Sequence, residues 1–250
     1  MNSVPKFLTP PWVTWLAGLP AVACLYVLYA TGIDDRGLFM DGHPATLAIL
    51  ALTAALASWL AVVLIPHSAV PPYRLLFPRS PAAVMGTALG AVALVSAGVR
   101  CVLDGALPMD NYFGGAMLLG GVAMAVLAWL RRESRKANVL LWAAVTVSMM
   151  LRLLVSYRHW SGEPQLMEYF YPLLSSVALT LAVFYRTGFS GEMESPRLYL
   201  FFSQLGGFCA LLAIPQEPVF YAGMAAWALT DVCSLRRTLP QNAVPREDTP

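Results

Sequence analysis

Long apolar runs separated by short polar turns dominate the chain. Each run approaches the length that a helix needs to cross a bilayer, about 20 mostly apolar residues. The predicted spans are residues 12–31, 44–65, 81–103, 112–130, 137–157, 166–185, 198–214 and 219–235. The pattern therefore predicts an all-α polytopic membrane protein whose eight transmembrane helices form four hairpins. Residues 1–235 are expected to form a single bundle, and the polar residues 236–250 a disordered tail.

The first apolar run begins like a signal peptide. Lys6 precedes it, and Ala21-Val22-Ala23 stands before Cys24. The apolar residues continue to Ala30, which exceeds the core of a signal peptide and predicts an uncleaved first helix. Processing as a signal peptide or a lipoprotein is the alternative interpretation.

The composition agrees with a chain whose main solvent is lipid. Hydrophobic residues make up 58% of it and charged residues 12%, and the mean hydropathy is +0.63. The net charge of +2 and the absence of aromatic residues between the basic ones argue against a nucleic-acid partner. The four cysteines lie singly within apolar runs, which favours buried free thiols over metal ligands or disulfides. We expect neither a metal nor a cofactor.

Lysine and arginine lie mainly in alternate loops, as expected when cytoplasmic loops carry the positive charge. One side of the predicted membrane has Lys6, Arg74, Arg79, Arg131, Arg132, Arg135, Lys136, Arg186, Arg197, Arg236, Arg237 and Arg246. The other side has Arg36 and Arg158, together with the acids Asp34, Asp35, Asp41, Asp104, Asp110, Glu163, Glu168 and Glu217. This distribution predicts that both termini are cytoplasmic. The short loops and the alanine, leucine and valine content are typical of a bacterial cytoplasmic membrane.

Two arginines, Arg100 and Arg152, lie inside apolar spans near their predicted outer ends. An arginine at membrane depth costs several kcal/mol unless it is compensated. Asp104 follows Arg100 by four residues, so both side chains share one helix face. Glu168, at the outer start of the following helix, is the predicted partner of Arg152.

Two interpretations of these arginines stay open. In the first, they reach outward or form internal ion pairs that fix the packing of the hairpins. In the second, they line an outward-facing pocket for a carboxylate, a phosphate or a lipid headgroup. The aromatic residues predicted to line that pocket are Tyr112, Tyr169 and Tyr171.

The two hairpins that contain these arginines resemble each other. Arg100, residues 109–113 and Arg131 match Arg152, residues 167–170 and Arg186 in order and chemistry. A parallel internal repeat would explain the match. The common pattern of membrane hairpins would explain it as well.

Asp231 is the one acid inside a predicted span. It lies about one turn before Arg236 and Arg237, so ion pairing near the cytoplasmic interface is expected. A proton or cation relay is the alternative, although no second acid lies in that half of the bundle.

Enzyme signatures are incomplete. Gly188-Phe189-Ser190-Gly191 resembles the string around the nucleophile of rhomboid-type intramembrane proteases, which also need a histidine on a later helix. No histidine follows the string, and His43, His67 and His159 all lie in predicted loops. We therefore favour a non-enzymatic function.

Two functional hypotheses remain. The first is binding or transport of a small polar or anionic molecule from the outer face. The second is a membrane-embedded sensor or accessory subunit that acts through a partner protein. In that case the contact is expected at the cytoplasmic cluster of Arg131, Arg132, Arg135 and Lys136.

Overall fold

The structure is a computed structural model, and it describes residues 12–32, 43–64, 80–105, 108–133, 137–160, 166–191 and 196–234. These residues form eight helices and no strand. In chain order they are α1 (Trp12–Thr31), α2 (Pro44–Leu64), α3 (Pro81–Asp104), α4 (Pro108–Arg132), α5 (Val139–Trp160), α6 (Leu166–Ser190), α7 (Pro196–Ala213) and α8 (Pro218–Cys233).

Five helices, α1 to α5, are long and apolar enough to span a membrane, and α7 is a shorter apolar helix. The remaining helices carry polar side chains into the bundle, among them Ser175, Ser176 and Arg186 of α6 and Asp231 of α8. Neighbouring helices satisfy such groups in the bundle interior, so an interior helix can be less apolar than one that faces lipid. The prediction of a multi-pass helical membrane protein is confirmed at this level.

Helices α3 to α8 form a closed ring in which each helix packs against the next and α8 returns to α3. One hydrophobic core fills this ring. The α1–α2 hairpin lies outside it and packs on α7 through a second core. A buried hydrogen bond of 2.8 Å from Thr14 Oγ1 to Gln204 Oε1 fastens α1 to α7. The structure is thus a six-helix bundle with an attached hairpin.

Several helices extend beyond the apolar runs that predicted them. α4 begins at Pro108 and so includes Asp110, which was expected in a turn. α5 continues to Trp160, and α6 continues to Ser190, so most of the Gly188–Gly191 string is helical. The backbone hydrogen bonds of a helix continue into the membrane interface, where polar side chains are tolerated.

Close helix contacts within the ring depend on small residues. Gly223 of α8 faces α3 so closely that an added Cβ would lie 2.6 Å from the carbonyl oxygen of Leu89. Gly98 of α3 and Gly114 of α4 face each other, and a Cβ on either would lie 2.9 Å from the other's carbonyl oxygen. Because lipid provides no hydrophobic drive between helices, such packing supplies much of the attraction between them.

We expect Gly223→Ala to destabilise the protein by about 1–3 kcal/mol, because the added methyl group must displace backbone of α3. Thermal unfolding in detergent would measure the loss. Gly115→Ala is the matched control, since a Cβ at Gly115 meets nothing within 4 Å. Equal melting temperatures for the two variants would contradict this description of the α3–α8 contact.

Candidate functional site

The two arginines that lie inside apolar spans converge on one carboxylate, that of Glu217. Arg152 Nη2 of α5 forms an ion pair with Glu217 Oε2. Arg100 Nη1 of α3 lies 3.8 Å from Glu217 Oε1. Glu217 is the residue before α8, and its side chain makes no capping hydrogen bond to its own helix. The carboxylate is therefore directed to the arginines.

Aromatic rings of α8 hold the guanidinium of Arg152. Its Cζ lies 3.4 Å from the centroid of the Phe220 ring and 5.8 Å from that of Tyr221. The Tyr221 hydroxyl is itself held, 3.3 Å from Ser176 Oγ and 3.3 Å from the Pro172 carbonyl oxygen. Cation–π contacts of this kind gain strength when water is excluded. We call Arg100, Arg152, Glu217, Phe220 and Tyr221 the Glu217 cluster.

The members of the Glu217 cluster differ in their access to solvent or lipid. The side chain of Arg100 is 59% exposed and that of Glu217 is 18% exposed, whereas that of Arg152 is 8% exposed. Arg152 Nε is buried and has no hydrogen-bond partner among the described residues. Two guanidinium groups against one carboxylate leave one formal positive charge in the cluster. The cluster is thus half open and has a spare buried donor.

A further ion pair lies at the same end of the bundle. Arg158 Nη1 of α5 is 3.9 Å from Asp110 Oδ1 in the first turn of α4. Cys101 Sγ of α3 donates a 3.3 Å hydrogen bond to the carbonyl oxygen of Asp110. These contacts connect α3, α4 and α5 beside the Glu217 cluster.

The structure brings Arg100 and Arg152 together, and no described contact joins Asp104, Tyr112 or Tyr171 to them. Among the described residues Asp104 forms no ion pair, and the side chain of Glu168 lies outside the described part of the chain. Tyr112 is 79% exposed. Tyr171 packs into the core beneath the α1–α2 hairpin, and Tyr169 is half-buried.

The described partners of Arg152 include Glu217, Phe220 and Tyr221, and the sequence analysis predicted none of these three contacts. Glu217 lies 65 residues from Arg152, so sequence spacing gives no sign of their contact. The charge distribution did place Glu217 on the side of the two arginines, between Pro215 and Pro218. This placement was the one sign in the sequence that Glu217 could meet the two arginines.

A second charged cluster surrounds Asp231 near the opposite end of α8. Arg131 Nη1 of α4 and the Tyr199 hydroxyl of α7 both donate to the Asp231 carboxylate. Arg186 Nε of α6 lies 3.5 Å from Asp231 Oδ2. Arg131 also donates from Nη2 to Ser234 Oγ at 2.7 Å. One carboxylate therefore joins four helices.

Aromatic rings flank the deeper arginine here as well. Arg186 Cζ lies 5.3 Å from the Trp142 ring and 5.3 Å from the Tyr199 ring. Asp231 is 0% exposed and the Arg186 side chain 1% exposed. We call Arg131, Trp142, Arg186, Tyr199 and Asp231 the Asp231 cluster.

The structure describes only some of the residues predicted to pair with Asp231 or to contact a partner protein. Arg236 and Arg237 lie outside the described residues, and Arg131 and Arg186 occupy the described positions around Asp231. Arg131 thus points into the bundle, whereas Arg132 is exposed. Arg135 and Lys136 also lie outside the described residues.

The chain matches no family model, no curated protein and no solved structure. Within the described residues, no group of three or more histidines, cysteines or acids is placed to hold a metal ion. The Glu217 and Asp231 clusters bring together charged side chains of the described bundle. They belong to a multi-pass helical membrane protein.

We expect Asp231→Ala to destabilise the protein by about 3–5 kcal/mol, because two buried guanidinium groups lose their carboxylate. Tyr199→Phe removes one donor and is expected to cost roughly 1 kcal/mol. Thermal unfolding in detergent measures both losses. Asp104→Ala, at an exposed carboxylate, serves as the control and should change little.

Proposed function

We propose that the protein binds a small anionic molecule at the Glu217 cluster, on the outer face of a bacterial cytoplasmic membrane. All eight helices cross the membrane, and both termini lie in the cytoplasm. The distribution of lysine and arginine supports this orientation, since the described basic residues Arg131, Arg132, Arg186 and Arg197 lie at the Asp231 end of the bundle. The Glu217 cluster then faces outward.

The observation that carries the proposal is the convergence of Arg100 and Arg152 on Glu217 from two separate hairpins. An internal ion pair needs one arginine, and the second leaves a formal positive charge at a half-exposed place. Arginine presents a planar array of donors that suits carboxylate and phosphate groups. Phe220 and Tyr221 hold Arg152 in one orientation, which lowers the entropy lost when a ligand binds.

Glu217 acts in this proposal as an internal competitor of the ligand. In the free protein its carboxylate neutralises Arg152, which keeps a buried charge compensated. An arriving anion takes over one or both guanidinium groups. The binding free energy of the ligand is then the difference between the interaction of the arginines with the ligand and their interaction with Glu217. Removal of the Glu217 carboxylate therefore strengthens binding.

We expect sodium acetate and inorganic phosphate, tested separately at constant ionic strength, to raise the melting temperature of the detergent-solubilised protein in a saturable manner. Arg152→Ala and Arg100→Ala should abolish this stabilisation. Glu217→Gln should lower the half-saturating concentration by roughly tenfold, since a charge-assisted contact is worth about 1.5–3 kcal/mol. Arg132→Ala, at an exposed arginine of the other end, is the matched control.

The same measurement distinguishes the source of the anion. A lipid headgroup as ligand predicts stabilisation by phosphatidylglycerol over phosphatidylcholine nanodiscs that depends on Arg152, with no response to acetate or phosphate. Normal stabilisation of Arg152→Ala and Arg100→Ala by every probe would refute the site. Co-purification with a partner protein that is lost when Arg131, Arg132, Arg135 and Lys136 are neutralised would instead favour the hypothesis of a sensor or accessory subunit.

The orientation has its own test. In a background without the native cysteines, Asp104→Cys should react with a membrane-impermeant maleimide added to intact cells, and Glu133→Cys should react only after lysis. Both positions are exposed and lie at opposite ends of the bundle. Reaction of the second variant in intact cells would show that the proposed topology is inverted.

A further inference from the structure

The two charged clusters at the ends of α8 have the same composition. Each contains one carboxylate carried by α8 or the residue before it, one more exposed arginine and one deeply buried arginine. In each, two aromatic rings flank the buried arginine: Phe220 and Tyr221 at Arg152, and Trp142 and Tyr199 at Arg186. A purely structural ion pair does not require this arrangement twice.

The Asp231 cluster also has an unused donor. Trp142 is 3% exposed, and its indole Nε1 has no hydrogen-bond partner among the described residues. The indole Nε1 of Trp227 is also buried without a hydrogen-bond partner among the described residues. The ring centroids of Trp227 and Trp142 are 6.0 Å apart. Buried tryptophan N–H groups usually donate to an acceptor, and each exception calls for an explanation. A hydrogen-bond acceptor bound beside Arg186 would explain the indole N–H of Trp142.

The two clusters differ mainly in exposure. At the Glu217 cluster the Arg100 side chain is 59% exposed, whereas at the Asp231 cluster the most exposed arginine, Arg131, reaches 13%. Asp231 and Arg186 are essentially sealed. The conformation is therefore open at one end of α8 and closed at the other.

We infer that the Asp231 cluster is a second binding site for a small monoanion, and that the protein passes this anion between the outer Glu217 cluster and the inner Asp231 cluster. The ligand class rests on the proposed function of the Glu217 cluster. At the inner site the anion accepts from Arg186 and from the indole N–H of Trp142, and it competes with Asp231 for Arg186. The protein is accordingly a transporter of anions rather than a receptor that binds them from one side.

Iodide tests the inner site directly, because it is a monoanion and a contact quencher of indole fluorescence. The emission of Trp142 is obtained as the difference between the full-length protein and Trp142→Phe in detergent. We expect this difference in intensity to fall along a saturating curve as iodide is added at constant ionic strength, while the fluorescence lifetime of Trp142 stays unchanged, because a bound quencher removes emitters without shortening the lifetime of the others. Arg186→Gln, which removes the positive charge, should raise the half-saturating concentration roughly tenfold, since a hydrogen bond to a charged group is worth about 1.5–3 kcal/mol.

Two controls define access and anion specificity. The emission of Trp129, which is 53% exposed on α4 and is isolated in the same way with Trp129→Phe, should lose intensity and lifetime in proportion, as collisional quenching by iodide requires. Acrylamide, a neutral quencher, should give no loss of Trp142 intensity at constant lifetime. A proportional loss of Trp142 intensity and lifetime with iodide, or the same quenching with acrylamide as with iodide, would overturn the second site.

Failure of the two proposals is distinguishable in Arg152→Ala. That variant should lose stabilisation by acetate while its Trp142 emission still saturates with iodide. Acetate stabilisation of the unmodified protein without saturation at Trp142 keeps the outer site and rejects the inner one. Saturation at Trp142 without any Arg152-dependent stabilisation rejects the outer site and keeps the inner one.

Discussion

A charge within a helical membrane bundle must meet an opposite charge or a dense set of hydrogen bonds, and this constraint organises the ring of α3 to α8. α8 contributes Asp231 near one end, and Glu217 stands immediately before the other. The arginines that meet these acids come from α3 and α5 at one end and from α4 and α6 at the other. Removal of Asp231 leaves the guanidinium groups of Arg131 and Arg186 without their carboxylate, and removal of Glu217 leaves the buried one of Arg152 without its carboxylate; such a loss is far more costly than the ion pairs are stabilising. The pairs therefore fix which helices adjoin α8 and at what height, more than they add to stability.

Small residues make that arrangement possible. Gly223 lets α8 approach the backbone of α3, and Gly98 and Gly114 bring α3 against α4. With α3 held close on both sides, Arg100 reaches the carboxylate that Arg152 meets from across the ring. A larger residue at Gly223 would move α3 away from α8 and lengthen a contact that is already 3.8 Å. Packing and electrostatics are thus coupled through the same pair of helices.

Hydrophobic runs predicted the helices, because a bilayer imposes a length on each span, but they predicted the ends less well. Asp110 was assigned to a turn and lies in the first turn of α4, since helical hydrogen bonding continues where the side chains are already polar. Chain direction placed Arg100 and Arg152 on the same side of the membrane, and one of the two interpretations left open put them in a shared pocket. Their shared partner was not predicted, because Glu217 reaches them through the tertiary fold. Tyr112 and Tyr171 failed to join them because helical rotation, which a uniformly apolar segment does not reveal, turns both away. The sequence analysis assigned Arg131 to a cytoplasmic contact cluster, whereas in the structure it forms an ion pair with Asp231 of another helix.

The short helix α8 connects the two clusters physically. Its 16 residues span about 24 Å, less than the roughly 30 Å of hydrocarbon in a bilayer, so neither end is carried fully into water. No proline interrupts α8 after its first position, and the helix is therefore a stiff connection about 21 Å long between the two carboxylates. A tilt that draws Glu217 away from Arg152 must also change the geometry at Asp231, where Arg131, Arg186 and Tyr199 are all fastened. Tight packing makes such a change discrete rather than gradual, because a filled core has few intermediate arrangements. On the proposed function, anion binding at one end of α8 would therefore alter the stability of the ion pairs at the other.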